Sequence, residues 1–182
     1  ATGLQMFRPA GMQTTANDPD DIYWDGSISP AIPGVGGTVY ATTVYNGQLI
    51  VGGNFAVAGS VAANGIAAWN GTSWSPLGSG MNNSILTLAV YDNKLIAGGL
   101  FTIAGGVSAS YIAAWNGSSW SPLGSGVNGS VSALTVYDNK LIAGGNFATV
   151  VSDVVNNIAS WNGSSWSPLG SGMNNSVLTL AV

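Results

Sequence analysis

One interval, 46 residues, organises most of this chain of 182. Gly52-Gly53-Asn54-Phe55 returns as Gly98-Gly99-Leu100-Phe101 and again as Gly144-Gly145-Asn146-Phe147. Trp69-Asn70-Gly71 returns with the same step as Trp115-Asn116-Gly117 and Trp161-Asn162-Gly163. The stretch SWSPLGSG stands unchanged at residues 73–80, 119–126 and 165–172. Independent landmarks sharing one period mark a repeat architecture, in which a unit that cannot bury its apolar face alone stacks on the next.

Inside one unit the pattern is that of short strands. Ile85 to Tyr91 is rich in β-formers, and simple alternation puts Leu86, Leu88 and Val90 on one face. Asp92-Asn93, like Asn46-Gly47 and Asp138-Asn139, supplies two residues that tolerate positive φ, so Lys94 to Phe101 folds back as a second strand. After a loop rich in Gly, Ala and Ser, Tyr111 to Trp115 reads as a third strand. Asn116-Gly117-Ser118-Ser119 then turns the chain into a fourth, Trp120 to Leu123. Pro122 has no N–H to donate and belongs on an exposed sheet edge. Nothing repeats at 3.6 residues, and the Asn-Gly and Gly-Gly pairs oppose helix throughout.

Four antiparallel strands in about 46 residues match a propeller blade. The expected fold is an all-β propeller in a single domain. Blades occupy residues 37–80, 83–126 and 129–172, flanked by an N-terminal part-blade, 1–36, and a last strand within 176–182.

The combination WNG[ST]SWSPLGSG, followed by an LxVYDNKLIAGGxF hairpin, resembles the kelch-like propeller repeats of secreted and cell-surface proteins, including Rax2-like fungal surface proteins. The likeness covers residues 37–182, although the spacing departs from standard kelch blades. It implies a fold and leaves function open, because a propeller hosts many activities.

The repeat is out of phase with the ends of the sequence. Val177 to Val182 reads as the first strand of a further blade, and Tyr23-Trp24-Asp25-Gly26 reads as the third strand of an earlier one. Residues 28–33 follow as a degraded fourth strand, with Ser29 where Trp74 stands in the next unit. Leu4 to Arg8 supplies a second strand, Phe7 taking the place of Phe55. Together these strands make one composite fourth blade, which removes the free sheet edges that invite aggregation. The same strand entering another copy gives an eight-bladed dimer or a filament, and the sequence is also compatible with a fragment of a longer array.

Composition narrows function. Three cationic side chains stand against seven Asp, so neither a nucleic-acid footprint nor a membrane-binding basic patch can be assembled. The sequence has no Cys and no His, which removes thiol nucleophiles, disulfides, zinc-thiolate sites and the usual general base. Gly, Ser, Asn and Thr break every apolar run well short of the roughly 18 residues of a spanning helix. No cofactor is expected.

Several side-chain groups have a functional and a structural reading. The paired tryptophans offer faces for sugar rings, but their recurrence at identical positions fits packing between blades better. Asn70, Asn116 and Asn162 in N-G-[ST] triplets, and Asn82, Asn128 and Asn174 in N-x-S triplets, are glycan acceptors in a secreted protein. For the first three, an Asn-Gly hairpin turn explains the residues without a sugar. Asp18, Asp20 and Asp21 form an acidic cluster able to offer oxygen ligands to Ca²⁺, without the full EF-hand pattern, and a hydrated loop is the preferred reading. Asp92, Asp138 and Asp153 sit in turns or loops and show no catalytic pairing.

The expectation is therefore a non-catalytic, extracellular structural or surface protein that associates with itself through its terminal strands. Its weakly charged surface offers little repulsion to close association. The alternative is a carbohydrate- or protein-binding module working through loops 56–64, 102–110 and 148–157, which differ between otherwise uniform units.

Overall fold

The computed structural model describes residues 34–150 and 153–182, all within one compact unit, Gly34–Val182. The described residues contain strands and turns and no helix. The first sheet carries β1 (Val35–Tyr45), β2 (Gln48–Ala58), β4 (Ile66–Trp69) and β5 (Trp74–Pro76) in that order, with β3 (Val61–Ala62) paired to the end of β2. The second runs β6 (Ile85–Tyr91), β7 (Lys94–Gly99), β10 (Ile112–Trp115) and β11 (Trp120–Pro122), and between β7 and β10 stands a small hairpin, β8 (Ile103–Ala104) with β9 (Val107–Ser108). The third repeats it as β12 (Ser130–Tyr137), β13 (Lys140–Asn146), β16 (Ile158–Trp161) and β17 (Trp166–Pro168), with the hairpin β14 (Thr149–Val150) and β15 (Asp153–Val154). All pairings are antiparallel. The strands are shorter than the sequence pattern suggests: β7 stops at Gly99 and β11 at Pro122, and part of each supposed loop is a hairpin.

The tight turns follow from their residues. Tyr45 faces Gln48, Tyr91 faces Lys94 and Tyr137 faces Lys140, so two residues make each turn. Asn46 and Gly47 have φ of 49° and 74°, Asp92 and Asn93 50° and 55°, Asp138 and Asn139 48° and 54°. Two successive positive φ values define the type I′ turn, whose twist matches that of the strands.

The Asn-Gly segments after β4, β10 and β16 do not make such turns. Trp69 pairs with Trp74, Trp115 with Trp120 and Trp161 with Trp166, so four residues connect each pair. The asparagine side chain closes the loop. Oδ1 of Asn116 accepts the N–H groups of Ser118 and Ser119, both at 2.9 Å, and Asn70 and Asn162 do the same for their followers.

The first strand of each sheet carries a bulge, between Val39 and Ala41, Ile85 and Thr87, and Val131 and Ala133. The extra residue shifts the alternation by one, so Ile85 and Leu88 share the face that the sequence assigns to Leu86 and Leu88. A Cβ built on Gly52, in the preceding sheet, would lie 2.8 Å from Cγ2 of Ile85 and 3.2 Å from Cδ1 of Leu88. Gly98 stands in the same relation to Val131. The first glycine of each Gly-Gly pair is therefore the seat of the next sheet's inner strand, where backbones approach too closely for a side chain.

The core lies between sheets. Tyr45, Ile50, Ile66, Ala68 and Leu77 of the first sheet pack against Leu95, Ala97, Ala113, Trp115 and Trp120 of the second. Ile96, Ile112, Ala114 and Leu123, on the opposite face of the second sheet, pack against Leu141, Ala143, Ala159, Trp161 and Trp166 of the third. Every residue of the Leu-Ile-Ala run in β7 is buried, alternating between two neighbours, which is why the strand reads as continuous apolar sequence.

Residues 177–182, expected as a strand, pair in a ladder with no described residue. They nevertheless take the position of an inner strand. Val177 N–H donates to Gly145 O at 3.0 Å, and a Cβ on Gly144 would meet Cγ1 of Val177 at 2.5 Å and Cδ1 of Leu180 at 3.4 Å. The expected partner strand, Leu4 to Arg8, lies outside the described residues, as do Trp24 and residues 28–33.

Candidate functional site

Three structural features concentrate unusual groups: the paired tryptophans, the cavity among the inner strands, and the end of the stack that carries the small hairpins and the sheet-to-sheet linkers. Within each tryptophan pair the ring centroids are 5.2–5.4 Å apart and the planes tilt by 46–53°. Trp115, Trp120, Trp161 and Trp166 are no more than 9% exposed. Trp120 donates its indole N–H to Leu77 O at 2.8 Å, and Trp166 donates to Leu123 O at 2.9 Å, each one sheet back. These four rings have no free face for a sugar. Their role is to lock a sheet to the repeated Pro-Leu-Gly segment of its predecessor. A second lock sits beside the two-residue turns, where the hydroxyls of Tyr45 and Tyr91 donate to Asn93 O and Asn139 O at 3.2 and 3.1 Å.

Four segments at one repeat position, Tyr40–Thr42, Leu86–Leu88, Ser132–Leu134 and Leu178–Leu180, line a single cavity of about 400 Å³. The first residue of each of the three paired segments is the bulged one, and Leu178 is its counterpart. Across this cavity Leu134 N–H donates to Oγ1 of Thr87 at 3.1 Å. No charged side chain lines it.

At the hairpin end, Asn82 and Asn128 hold the hairpins down. Oδ1 of Asn82 accepts the N–H groups of Thr102 and Ile103 at 2.9 Å each, and its amide donates to Oγ1 of Thr102 at 3.0 Å. Oδ1 of Asn128 accepts from Ala148 and Thr149 at 2.8 and 2.9 Å. Asn64 and Asn156 donate to Ser79 O and Ser171 O at 2.9 and 2.8 Å. A crevice of about 340 Å³ opens here on the first sheet, lined among others by Asn54, Asn64, Asn82, Asn83, Phe55 and Met81. The sequence reading missed it, because its lining comes from separate segments, around Gly36, Asn54, Asn64 and Asn82.

The glycan-acceptor asparagines thus fall into two structural groups. In Asn70, Asn116 and Asn162 the carbonyl oxygen closes a loop while the residue is exposed. In Asn82 and Asn128 the carbonyl oxygen instead accepts from the neighbouring hairpin. Asn174 is exposed in the segment before Val177. The Ca²⁺ candidates Asp18, Asp20 and Asp21 lie outside the described residues, among which no group of three or more acidic, His or Cys side chains is gathered. Asp92 lies 3.6 Å from the ammonium of Lys94 across its turn, with both side chains exposed.

Known proteins give the arrangement a family. The family model described as "Rax2 C-terminal beta propeller domain" matches residues 29–181. No curated protein matches the chain. Among solved structures, the computationally designed Ika4 protein is 17% identical, with a TM-score of 0.55 over 83% of this chain and 83% of its own. The computationally designed Ika8 protein is 18% identical, with a TM-score of 0.52 over 84% of this chain, which spans 42% of Ika8. At such identities the likeness speaks to fold alone. With a match that covers all three sheets and the docked C-terminal segment, the chain belongs to the Rax2 C-terminal β-propeller domain family.

Proposed function

We propose that this chain is a non-catalytic propeller module of a cell-surface protein, closed as a four-sheet ring, that binds a partner at its hairpin end. The observation carrying this reading is the single cavity lined by all four inner-strand segments, residues 178–180 included. An inner strand docked on the third sheet implies a fourth sheet built on it, and a ring so closed is rigid enough to present loops. The hairpin end is where the otherwise uniform repeats differ, and it carries exposed apolar side chains at Val57, Ile103, Val107 and Val154. The absence of His, Cys and Glu, and the turn roles of Asp92 and Asp138, support a module without catalysis. The test is retention of the purified chain on cell-wall polysaccharide and on a panel of surface glycoproteins. Retention competed by soluble polysaccharide or by a soluble glycoprotein is expected, and no retention on either contradicts the reading.

A second reading rests on the C-terminal segment itself. Leu178 and Val182 are 77% and 82% exposed, and the segment has no ladder partner among the described residues. Such a strand is suited to entering another copy, which makes self-association the function. Light scattering across a hundredfold range of concentration separates the two: a constant monomer mass favours the binding module, and growth abolished by deleting residues 177–182 favours assembly.

A further inference from the structure

The three sheets differ at one place that bears on binding. Asn82 and Asn128 each push a side chain against their hairpin and occupy two backbone N–H groups. The residue one repeat earlier is Gly36, so the corresponding N–H groups, those of Ala56 and Val57, receive no side chain from that position. Gly36 lines the crevice of about 340 Å³ on the first sheet, and a Cβ there would meet Cγ2 of Val57 at 2.8 Å.

The lining of this crevice has a definite chemistry. Four asparagines, Asn54, Asn64, Asn82 and Asn83, line it, and among the described residues no charged one does. Asn82 is fully engaged with the neighbouring hairpin. Asn64 uses its amide nitrogen on Ser79 O and keeps its carbonyl oxygen, whereas Asn83 uses its oxygen on Ser84 N–H and keeps its nitrogen. Asn54 is exposed, and its side chain makes no hydrogen bond to a described residue. Phe55 and Met81, both buried, close the base. Among the described residues, the Asn83 amide nitrogen, the Asn64 carbonyl oxygen and both ends of Asn54 have no partner, and they stand beside the apolar Phe55 and Met81.

We propose that this crevice binds a neutral saccharide, with Asn54, Asn64 and Asn83 pairing its hydroxyl groups. An amide presents a donor and an acceptor in one plane, which matches a hydroxyl that must both give and take a hydrogen bond. An uncharged lining gives no advantage to phosphorylated, sulfated or acidic ligands. The volume lies at the lower end of the roughly 300–1,000 Å³ typical of small-molecule sites, which suits a terminal sugar or a short stretch of chain. The proposal deepens the binding-module reading by naming its site and ligand class.

The test uses the whole chain and a glycan array that includes neutral cell-wall oligosaccharides, followed by calorimetry on the best hit. Gly36→Asn restores the residue that the other two sheets carry. A Cβ there would meet Cγ2 of Val57 at 2.8 Å and Val57 O at 3.8 Å, so the Val57 side chain must shift, and circular dichroism checks that the variant folds. The expected result is a neutral glycan whose affinity falls about tenfold or more in Gly36→Asn and in Asn54→Ala, the scale of one or two lost hydrogen bonds. Glycan binding unchanged in both variants overturns the site while leaving the module a binder. Capture of an unstructured peptide library without any glycan, abolished by Gly36→Asn, overturns the ligand class while keeping the site. No binding to either overturns the proposal, and the polysaccharide and glycoprotein retention above then decides whether the module reading falls with it.

Discussion

Trp120 and Trp166 belong to one sheet by chain and to two by interaction, since each indole N–H reaches a leucine carbonyl 43 residues back. Trp120→Phe keeps most of the buried apolar area and removes the donor, leaving Leu77 O in a buried seam. The expected cost is about 1–3 kcal/mol, read from urea unfolding, and a negligible change means that water takes the donor's place. Gly47 isolates a backbone effect, because its φ is +74° and a Cβ there would meet nothing within 4 Å. Gly47→Ala should therefore cost about 1–2 kcal/mol through conformation alone. The residue scale is where the sequence was read best. Asn46-Gly47 and Asp92-Asn93 name their turn type directly, since so few residues accept two successive positive φ values. Asn116-Gly117 misleads, because the same dipeptide also suits a four-residue loop closed by the asparagine side chain.

The element scale holds what the repeat pattern conceals. A bulge adds one residue to a strand without changing its composition, so the exchange of Leu86 for Ile85 on the packed face leaves no mark in the alternation. The crevice on the first sheet is equally hidden, because its lining is gathered from separate segments, around Gly36, Asn54, Asn64 and Asn82. The Gly-Gly pairs, by contrast, signal a close approach, and the approach distinguishes the sheets. At Gly98 a methyl group would press on Val131, inside a fully paired strand, whereas at Gly144 it would press on Val177, in a segment without a described ladder partner. Gly98→Ala should lower global stability by about 1–3 kcal/mol, as overpacking does. Gly144→Ala should act first on the C-terminal segment, raising hydrogen exchange at residues 177–182 ahead of the sheets. Equal effects of the two variants on global unfolding mean instead that the segment is as firmly held as β12.

At the scale of the molecule, the two interfaces between sheets reuse a Gly-Gly seat, a tryptophan pair and a tyrosine hydroxyl, and the docked segment reuses the Gly-Gly seat. That uniformity made the propeller legible from a 46-residue period, and it also kept blade number and closure out of reach, since identical interfaces accept a neighbour from the same chain or another. The proposed closure of the ring within one chain rests on the four inner-strand segments that line one cavity. Residues 178–180 and 40–42 line that cavity together, which a wider ring or an open filament would separate. The most direct test is electron microscopy of the purified chain under near-native conditions, counting blades per particle. The account predicts discrete particles with four blades, one chain each; rings of eight blades or continuous filaments would contradict it and make strand exchange between copies the organising event.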